Sequence, residues 1–117
     1  MKPARTRKSK FRKSDPARRT VNGIVFASIA ESKRYVQLRL LEMAREISGL
    51  TKGQKRDLIV NGKRVGSYTP DFEYLSKTGD LIIEEVKSGT SGKQADYRLR
   101  KKVFEASTNL TVTEINM

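Results

Sequence analysis

The stretch that decides the fold is TPDFEYLSKTGDLIIEEVKSG, residues 69–89. It holds two strand-like segments on either side of a turn signal at 77–80, and it therefore predicts a hairpin within a sheet. The second segment, 81–87, opens with an uninterrupted apolar run, which indicates a strand buried on both faces. The same stretch contains five acidic residues, although the whole chain carries a formal net charge of +12. An unpaired buried carboxylate is costly, so this concentration of acids calls for a physical reason.

Much of the positive charge lies at the N-terminus. Residues 1–20 contain nine lysines and arginines against Asp15 alone, which gives this segment a net charge of +8. With few apolar residues to bury, the segment is expected to be a disordered basic arm that precedes one folded domain at residues 21–117. A solubility or targeting role is the alternative to nucleic-acid contact. The cations expected to contact nucleic acid are Lys8, Lys10, Arg12, Lys13, Arg18 and Arg19.

Cysteine and histidine are both absent from the chain. Their absence excludes a disulfide framework, a zinc site of the Cys/His type, a thiol nucleophile and a histidine general base. Any chemistry must therefore use carboxylates, lysines, hydroxyls and a metal ion that prefers oxygen ligands. No apolar run approaches the roughly 18 residues of a membrane span, so we expect a soluble protein without a membrane partner.

The periodicity of apolar residues predicts an α/β fold. Residues 21–28 form an extended entry with a turn at Asn22-Gly23. A helix follows over 28–49, its apolar face spaced by 3 and 4 residues, and Ser48-Gly49 ends it. Strands are expected at 54–60, 63–75 and 81–87, and the Asn61-Gly62 turn joins the first two. The expected apolar face of this first helix consists of Val36, Leu40, Met43 and Ile47.

A flexible loop at 88–93 leads to a second helix and then to a last strand at 110–115. The expected apolar face of that helix consists of Ala95, Leu99, Val103 and Ala106. The predicted order is αβββαβ, which favours a three-layer α/β/α domain with the sheet in the middle.

The acidic stretch has an explanation in Asp71, Glu85 and Lys87. Glu85 and Lys87 are two residues apart in a strand, so they project from the same face and could form a structural ion pair. Asp71 follows Pro70 in the neighbouring strand, where it can approach Glu85. Two carboxylates beside one lysine form a site suited to Mg²⁺, whose charge allows the two acids to lie together.

Pro70-Asp71 followed by Glu85-Val86-Lys87 resembles the signature of the PD-(D/E)XK nucleases. The predicted order of elements is similar to their restriction-endonuclease-like core, and the resemblance covers residues 21–115. Within that superfamily the chain most resembles small phage-encoded endonucleases that resolve Holliday junctions. The resemblance implies an Mg²⁺-dependent endodeoxyribonuclease, with Mn²⁺ able to substitute, that acts on branched DNA during recombination. It also implies a cytoplasmic location in a bacterial host.

Carried over residue by residue, the resemblance implies that Asp71, Glu85 and the backbone carbonyl of Val86 ligate the metal. Lys87 would orient the attacking water and stabilise charge on the scissile phosphate. Members of the family often bring a glutamate from the first helix to the metal, and Glu31 matches that placement. Ser28 and Glu31 also form a capping box, which would explain both residues without catalysis.

Several further residues have two interpretations. Gln54 resembles a glutamine found near the site in related proteins, or is an ordinary surface residue. Lys93, Tyr97 and Lys101 suit contact with a nucleic-acid backbone, unless Tyr97 and Phe104 complete the core. Glu84 is expected to face away from Glu85.

Two rival functions use the same basic composition. The first is a non-catalytic nucleic-acid-binding protein in which Glu85 and Lys87 form a structural ion pair. The second is an RNA-binding or ribosome-associated protein, which the basic arm alone would favour. Because one site cuts one strand, paired cuts across a DNA branch would require a homodimer.

Overall fold

The computed structural model describes residues 14–88 and 95–117 of the chain. These residues form a mixed α/β fold with two α-helices and several small sheets. A 3-10 turn at Pro16–Arg19 precedes the first strand. The elements are β1 (Thr20–Val21), β2 (Ile24–Val25), α1 (Ile29–Met43), β3 (Ile47–Lys52), β4 (Arg56–Val60), β5 (Lys63–Tyr68), β6 (Phe72–Ser76), β7 (Leu81–Lys87), α2 (Ala95–Thr108) and β8 (Val112–Asn116).

Four strands form the largest sheet in the order β3-β6-β7-β8. The β6–β7 hairpin is antiparallel, as the turn at 77–80 predicts, and β3 adds to it antiparallel on one side. On the other side β8 runs parallel to β7, with Glu85 opposite Glu114. The strands β4 and β5 form a separate hairpin around Asn61-Gly62, and β1 pairs with β2 in a third, two-stranded sheet.

The two faces of β7 contribute to different hydrophobic clusters. Ile83 packs with Phe104 of α2 and with Leu58 and Tyr68 of the β4–β5 hairpin. Val86, on the opposite face by strand alternation, belongs to a cluster with Leu38 of α1. The two helices therefore lie on opposite sides of β7. Neither of them, within the described part of the chain, is long and apolar enough to cross a membrane.

The first helix differs from its prediction in length and in its buried face. It ends at Met43, and Ile47–Lys52 is the strand β3, which the sequence analysis missed by continuing the helix. Leu40 and Met43, expected in the core, are 61% and 70% exposed. The buried face of α1 instead carries Leu38 together with polar residues such as Glu31. An apolar-periodicity count places such polar residues on the surface, and it therefore selected the wrong face.

The predicted strand at 63–75 is also two strands. β5 pairs with β4, whereas β6 joins the largest sheet, and the chain changes sheets at residues 69–71. The literal order after α1 is thus five strands, a helix and a strand. The predicted apolar face of α2 is wrong at Leu99, which is exposed, whereas Val103 does pack against the core and Phe104 is fully buried.

The end of the predicted arm is ordered. Arg19 is buried, and its side chain donates hydrogen bonds to the backbone carbonyls of Phe26 and Ser14. The expectation of disorder up to residue 20 is therefore wrong for Pro16–Thr20, and Arg19 is not a surface cation. Arg18 is exposed, and residues 1–13 lie outside the described residues.

A buried ion pair attaches α1 to β7. Arg34 donates two hydrogen bonds to Glu84, at 2.8 and 2.6 Å, and the Tyr74 hydroxyl donates a third. Glu84 is 1% exposed, so its charge is removed from water and depends on these donors. The pair fixes the first turns of α1 over the strand that carries Glu85.

We expect Arg34→Met to lower the free energy of unfolding by about 3 to 5 kcal/mol, because it leaves the Glu84 carboxylate buried without its cation. Arg39→Met is the matched control, since Arg39 pairs with Glu42 on the half-exposed side of the same helix. That variant should cost less than about 1 kcal/mol. Urea unfolding of both variants measures the difference, and equal losses would contradict this role of the Arg34–Glu84 pair.

Candidate metal and nuclease site

The backbone at Asp71 fixes its carboxylate beside β7. The Asp71 amide donates to the carbonyl of Glu84, and its Oδ2 accepts a 2.7 Å hydrogen bond from the amide of Val86. The end of β3 approaches closely here, because a Cβ on Gly53 would lie 1.9 Å from the carbonyl oxygen of Pro70. Only glycine fits at position 53. The Pro70-Asp71 corner is therefore held between two strands of the sheet.

Glu85 lies next to this corner. Its side chain is 6% exposed, and Oε1 accepts a 2.6 Å hydrogen bond from the Tyr68 hydroxyl. The Glu85 carboxylate is close enough to Asp71 to raise the pKa of that acid. The two residues that the sequence analysis placed together are thus neighbours.

Glu31 reaches the same region from the first turn of α1. Ser28 caps the helix, since its Oγ accepts a 3.0 Å hydrogen bond from the amide of Glu31. The Glu31 side chain is buried, and its carboxylate also raises the pKa of Asp71. The capping role of Ser28 and the approach of Glu31 to the acidic site therefore coexist.

Burial and two neighbouring carboxylates act together on Asp71. Burial is the largest cause, followed by Glu85 and Glu31, and together they raise the pKa of Asp71 from 3.8 to about 8. The hydrogen bond from Val86 acts in the opposite direction but is outweighed. Within residues 14–88 and 95–117, no lysine or arginine forms an ion pair with Asp71. At neutral pH this site therefore retains a proton that a bound cation could displace.

The other acids of the stretch are arranged differently. Glu73 accepts two hydrogen bonds from Arg56, at 2.6 and 2.7 Å, and this cation lowers its pKa. Glu84 accepts two from Arg34 on the opposite face of β7. Asp80 lies exposed in the turn. The two buried near neighbours are thus neutralised by arginines, whereas Asp71 faces other carboxylates.

The acidic site has the chemistry of a hard-cation site. Asp71, Glu85 and Glu31 offer carboxylate oxygens, and Val86 offers its carbonyl, which are ligands that Mg²⁺ and Mn²⁺ accept. Among the residues that the structure describes, no three acidic side chains are already arranged as in a formed metal centre. A cation would therefore have to draw these carboxylates closer together.

Lys87 has a partner that the sequence analysis missed. Its Nζ lies 3.5 Å from Oε1 of Glu114, the residue opposite Glu85 on β8. Oε2 of Glu114 accepts a 2.9 Å hydrogen bond from the Tyr97 hydroxyl and lies 3.7 Å from Lys101. The Tyr97 hydrogen bond and then the two lysines lower the pKa of Glu114. Only the register of the parallel β7–β8 pair places Glu114 here, and a single sequence does not give that register.

The remaining candidate residues are spread out. Gln54 is exposed; its backbone amide donates a hydrogen bond to Glu73, and its backbone carbonyl accepts one from Arg56. Tyr97 packs against the core cluster of Phe104, so its ring is part of the core rather than an open stacking platform. Lys101 is half-buried beside Glu114. The predicted contacts Lys8, Lys10, Arg12, Lys13 and Lys93 lie outside the described residues.

Comparison with known proteins gives one match. Residues 8–115 match the family model described as Protein of unknown function (DUF1064). The match spans most of the chain, which therefore belongs to this family. Neither curated proteins nor solved structures gave a match.

The raised pKa of Asp71 predicts how stability depends on pH. The folded metal-free protein holds this proton up to about pH 8, whereas the unfolded chain releases it near 3.8. The folded state thus binds more protons between these values, and the free energy of unfolding should fall as pH rises, by up to about 1.4 kcal/mol per unit. Asp71→Asn should flatten this dependence.

Urea unfolding across this pH range, with a chelator present, measures the effect. Asp80→Asn is the control, because it removes an acid from the exposed turn at the other end of β7. It should keep the wild-type dependence. If Asp71→Asn kept the wild-type dependence of the free energy of unfolding on pH, a group other than Asp71 would be its cause.

Proposed function

We propose that the protein is an Mg²⁺-dependent endonuclease of the PD-(D/E)XK type that hydrolyses phosphodiester bonds in DNA. One observation carries the proposal: Glu85 of β7 and Glu31 of α1 both lie close enough to Asp71, which directly precedes β6, to raise its pKa. The nearby acids Glu73 and Glu84 are each matched by an arginine. Among the described residues no lysine or arginine forms an ion pair with Asp71, and a stable fold alone gives no reason to bury this acid beside other carboxylates.

The fold supports a three-layer nuclease core. When the β4–β5 hairpin is treated as an insertion, α1, β3, β6, β7, α2 and β8 follow the order αβββαβ. The helices lie on opposite sides of β7. Glu85 lies on β7 and Asp71 directly precedes β6, and these are the two central strands of the largest sheet. This is the arrangement that the resemblance implies.

The residues of the site have separable roles in this proposal. Asp71, Glu85, Glu31 and the Val86 carbonyl would hold Mg²⁺, with Mn²⁺ as a substitute. The ion would supply positive charge to the scissile phosphate and acidity to a bound water. The Val86 amide orients Asp71, and Tyr68 orients Glu85. Lys87, kept within reach by Glu114, would position the attacking water and stabilise charge on the phosphate.

We expect Glu85→Gln to reduce Mg²⁺-dependent cleavage by about a hundredfold or more, because it removes a ligand charge while keeping the side-chain shape. Asp80→Asn is the control and should cleave normally. Plasmid nicking with Mg²⁺, and with chelator, measures both variants. Full activity of Glu85→Gln would show that Glu85 is not a ligand of the catalytic metal. No cleavage by the wild-type protein under any divalent cation would favour the non-catalytic nucleic-acid-binding alternative.

Lys87→Met should lower the single-turnover rate by about 10²- to 10³-fold, with DNA affinity nearly unchanged. Its effect on stability should stay below about 1 kcal/mol, because Lys87 and Glu114 are 35% and 30% exposed. Thermal melting on the same sample tests this. A strongly destabilised variant that cleaves normally would make Lys87 structural.

The substrate we propose is branched DNA such as a Holliday junction, cut by a homodimer. A chain of this size offers lysines and arginines for phosphates, which position DNA without reading its sequence. An exposed stripe on α1 suits a second copy: Val36, Leu40 and Met43 are spaced by 4 and 3 residues.

A dimer by mass in solution, and a preference for a four-way junction over matched linear duplex, are the expected results. Leu40→Glu should give a monomer that still nicks one strand, whereas Ile59→Glu, an exposed site on the hairpin, should stay dimeric. If the wild-type protein is a monomer and cuts both DNAs equally, the proposed nuclease activity stands, but the proposed dimer and its preference for junctions are wrong.

A further inference from the structure

A groove of about 310 Å³ opens beside Lys87, between α2 and β8. The wall from α2 carries Arg98, Lys101 and Lys102, which lie on one helix face at spacings of 3 and 4 residues. The charged lining consists of four cations and two carboxylates, a net charge of +2. The volume is at the low end of ligand pockets, about 300 to 1,000 Å³, and suits one phosphate with its sugar rather than a protein segment.

The charged groups of the groove divide into two sets. At its floor, Glu114 holds Lys87 and Lys101, and Glu105 accepts a hydrogen bond from the amide of Val112. The outer cations are different: Arg98 and Lys102 are exposed, and neither forms an ion pair with another described residue. The groove therefore presents two uncompensated cations directly beside the candidate site.

We propose that this groove binds the phosphodiester adjacent to the one that is cut. The inference rests on the proposed nuclease function and adds a direction to it. With the scissile phosphate at Asp71 and Glu85, the neighbouring phosphate would lie across β8, against Arg98 and Lys102. Glu114 links the two positions, because it is opposite Glu85 in the sheet and also holds a lysine of the groove. The bound strand thus runs across β7 and β8 toward α2.

The test uses DNA in which single phosphates are replaced by neutral methylphosphonates, one position at a time. Binding is measured without divalent metal, on a substrate whose cleavage position has been mapped. For the wild-type protein we expect a loss of about tenfold in affinity at one position next to the cut, from a charged hydrogen-bonded contact. Arg98→Gln and Lys102→Gln should bind more weakly with native DNA and lose this position-specific penalty. Their salt dependence should fall by about 0.9 in log–log slope per lost phosphate contact.

Lys77→Gln is the matched control, because it removes one exposed lysine from the turn at the opposite end of the sheet. It should keep the penalty. A wild-type protein without a sensitive position beside the cut, or a penalty unchanged in both groove variants, would overturn the inference. The binding assay contains no metal and is therefore independent of cleavage. A wild-type protein that cleaves normally but shows no affinity penalty beside the cut would overturn the role of the groove and leave the nuclease proposal standing. A protein that binds with the penalty but never cuts would instead overturn the nuclease.

Discussion

The buried pair between Arg34 and Glu84 is the constraint on which the rest of the site depends. Glu84 and Glu85 are consecutive in β7, and strand alternation sends them to opposite faces. Glu84 faces α1 and receives Arg34 from it, with the Tyr74 hydroxyl as a further donor. Arg34 follows Glu31 by three residues, so the ion pair that fixes α1 also directs Glu31 toward Asp71. Glu84 therefore secures helix α1, and the next residue, Glu85, lies at the acidic site.

Across the acidic stretch, some carboxylates likewise hold the fold together while others lie at the candidate site. Glu73 anchors the β4–β5 hairpin through Arg56, and this hairpin supplies Tyr68, which donates to Glu85. The structural carboxylates are therefore satisfied by arginines in bidentate contact, an arrangement that supports buried charge. Asp71 instead accepts a hydrogen bond from the Val86 amide, shares a side-chain hydrogen bond with Glu85 and lies near the charge of Glu31. Cations are abundant in this basic chain, yet within residues 14–88 and 95–117 none of them forms an ion pair with Asp71.

The sequence was sufficient where local chemistry decides the structure. The turn at 77–80, the Asn61-Gly62 hairpin, the Ser28 cap and the approach of Asp71 to Glu85 all follow from short-range patterns. It failed where tertiary contacts decide. The exposed apolar stripe of α1 has the spacing of a core face. The residues of β3 continue that helical pattern, and they form a strand because they pair with β6. Glu114 was missed since parallel pairing across α2 joins residues distant in sequence.

The central claim is that Asp71, Glu85 and Glu31 form a site for a divalent cation, and proton release on Mg²⁺ binding tests it most directly. Asp71 has a pKa of about 8 without metal, so a bound ion must displace its proton at neutral pH. Calorimetric titration with Mg²⁺ in buffers of different ionisation enthalpy should show about one proton released per ion. Asp71→Asn should bind more weakly and release none. Mg²⁺ binding that releases no proton, or that Asp71→Asn leaves unchanged, would contradict the account.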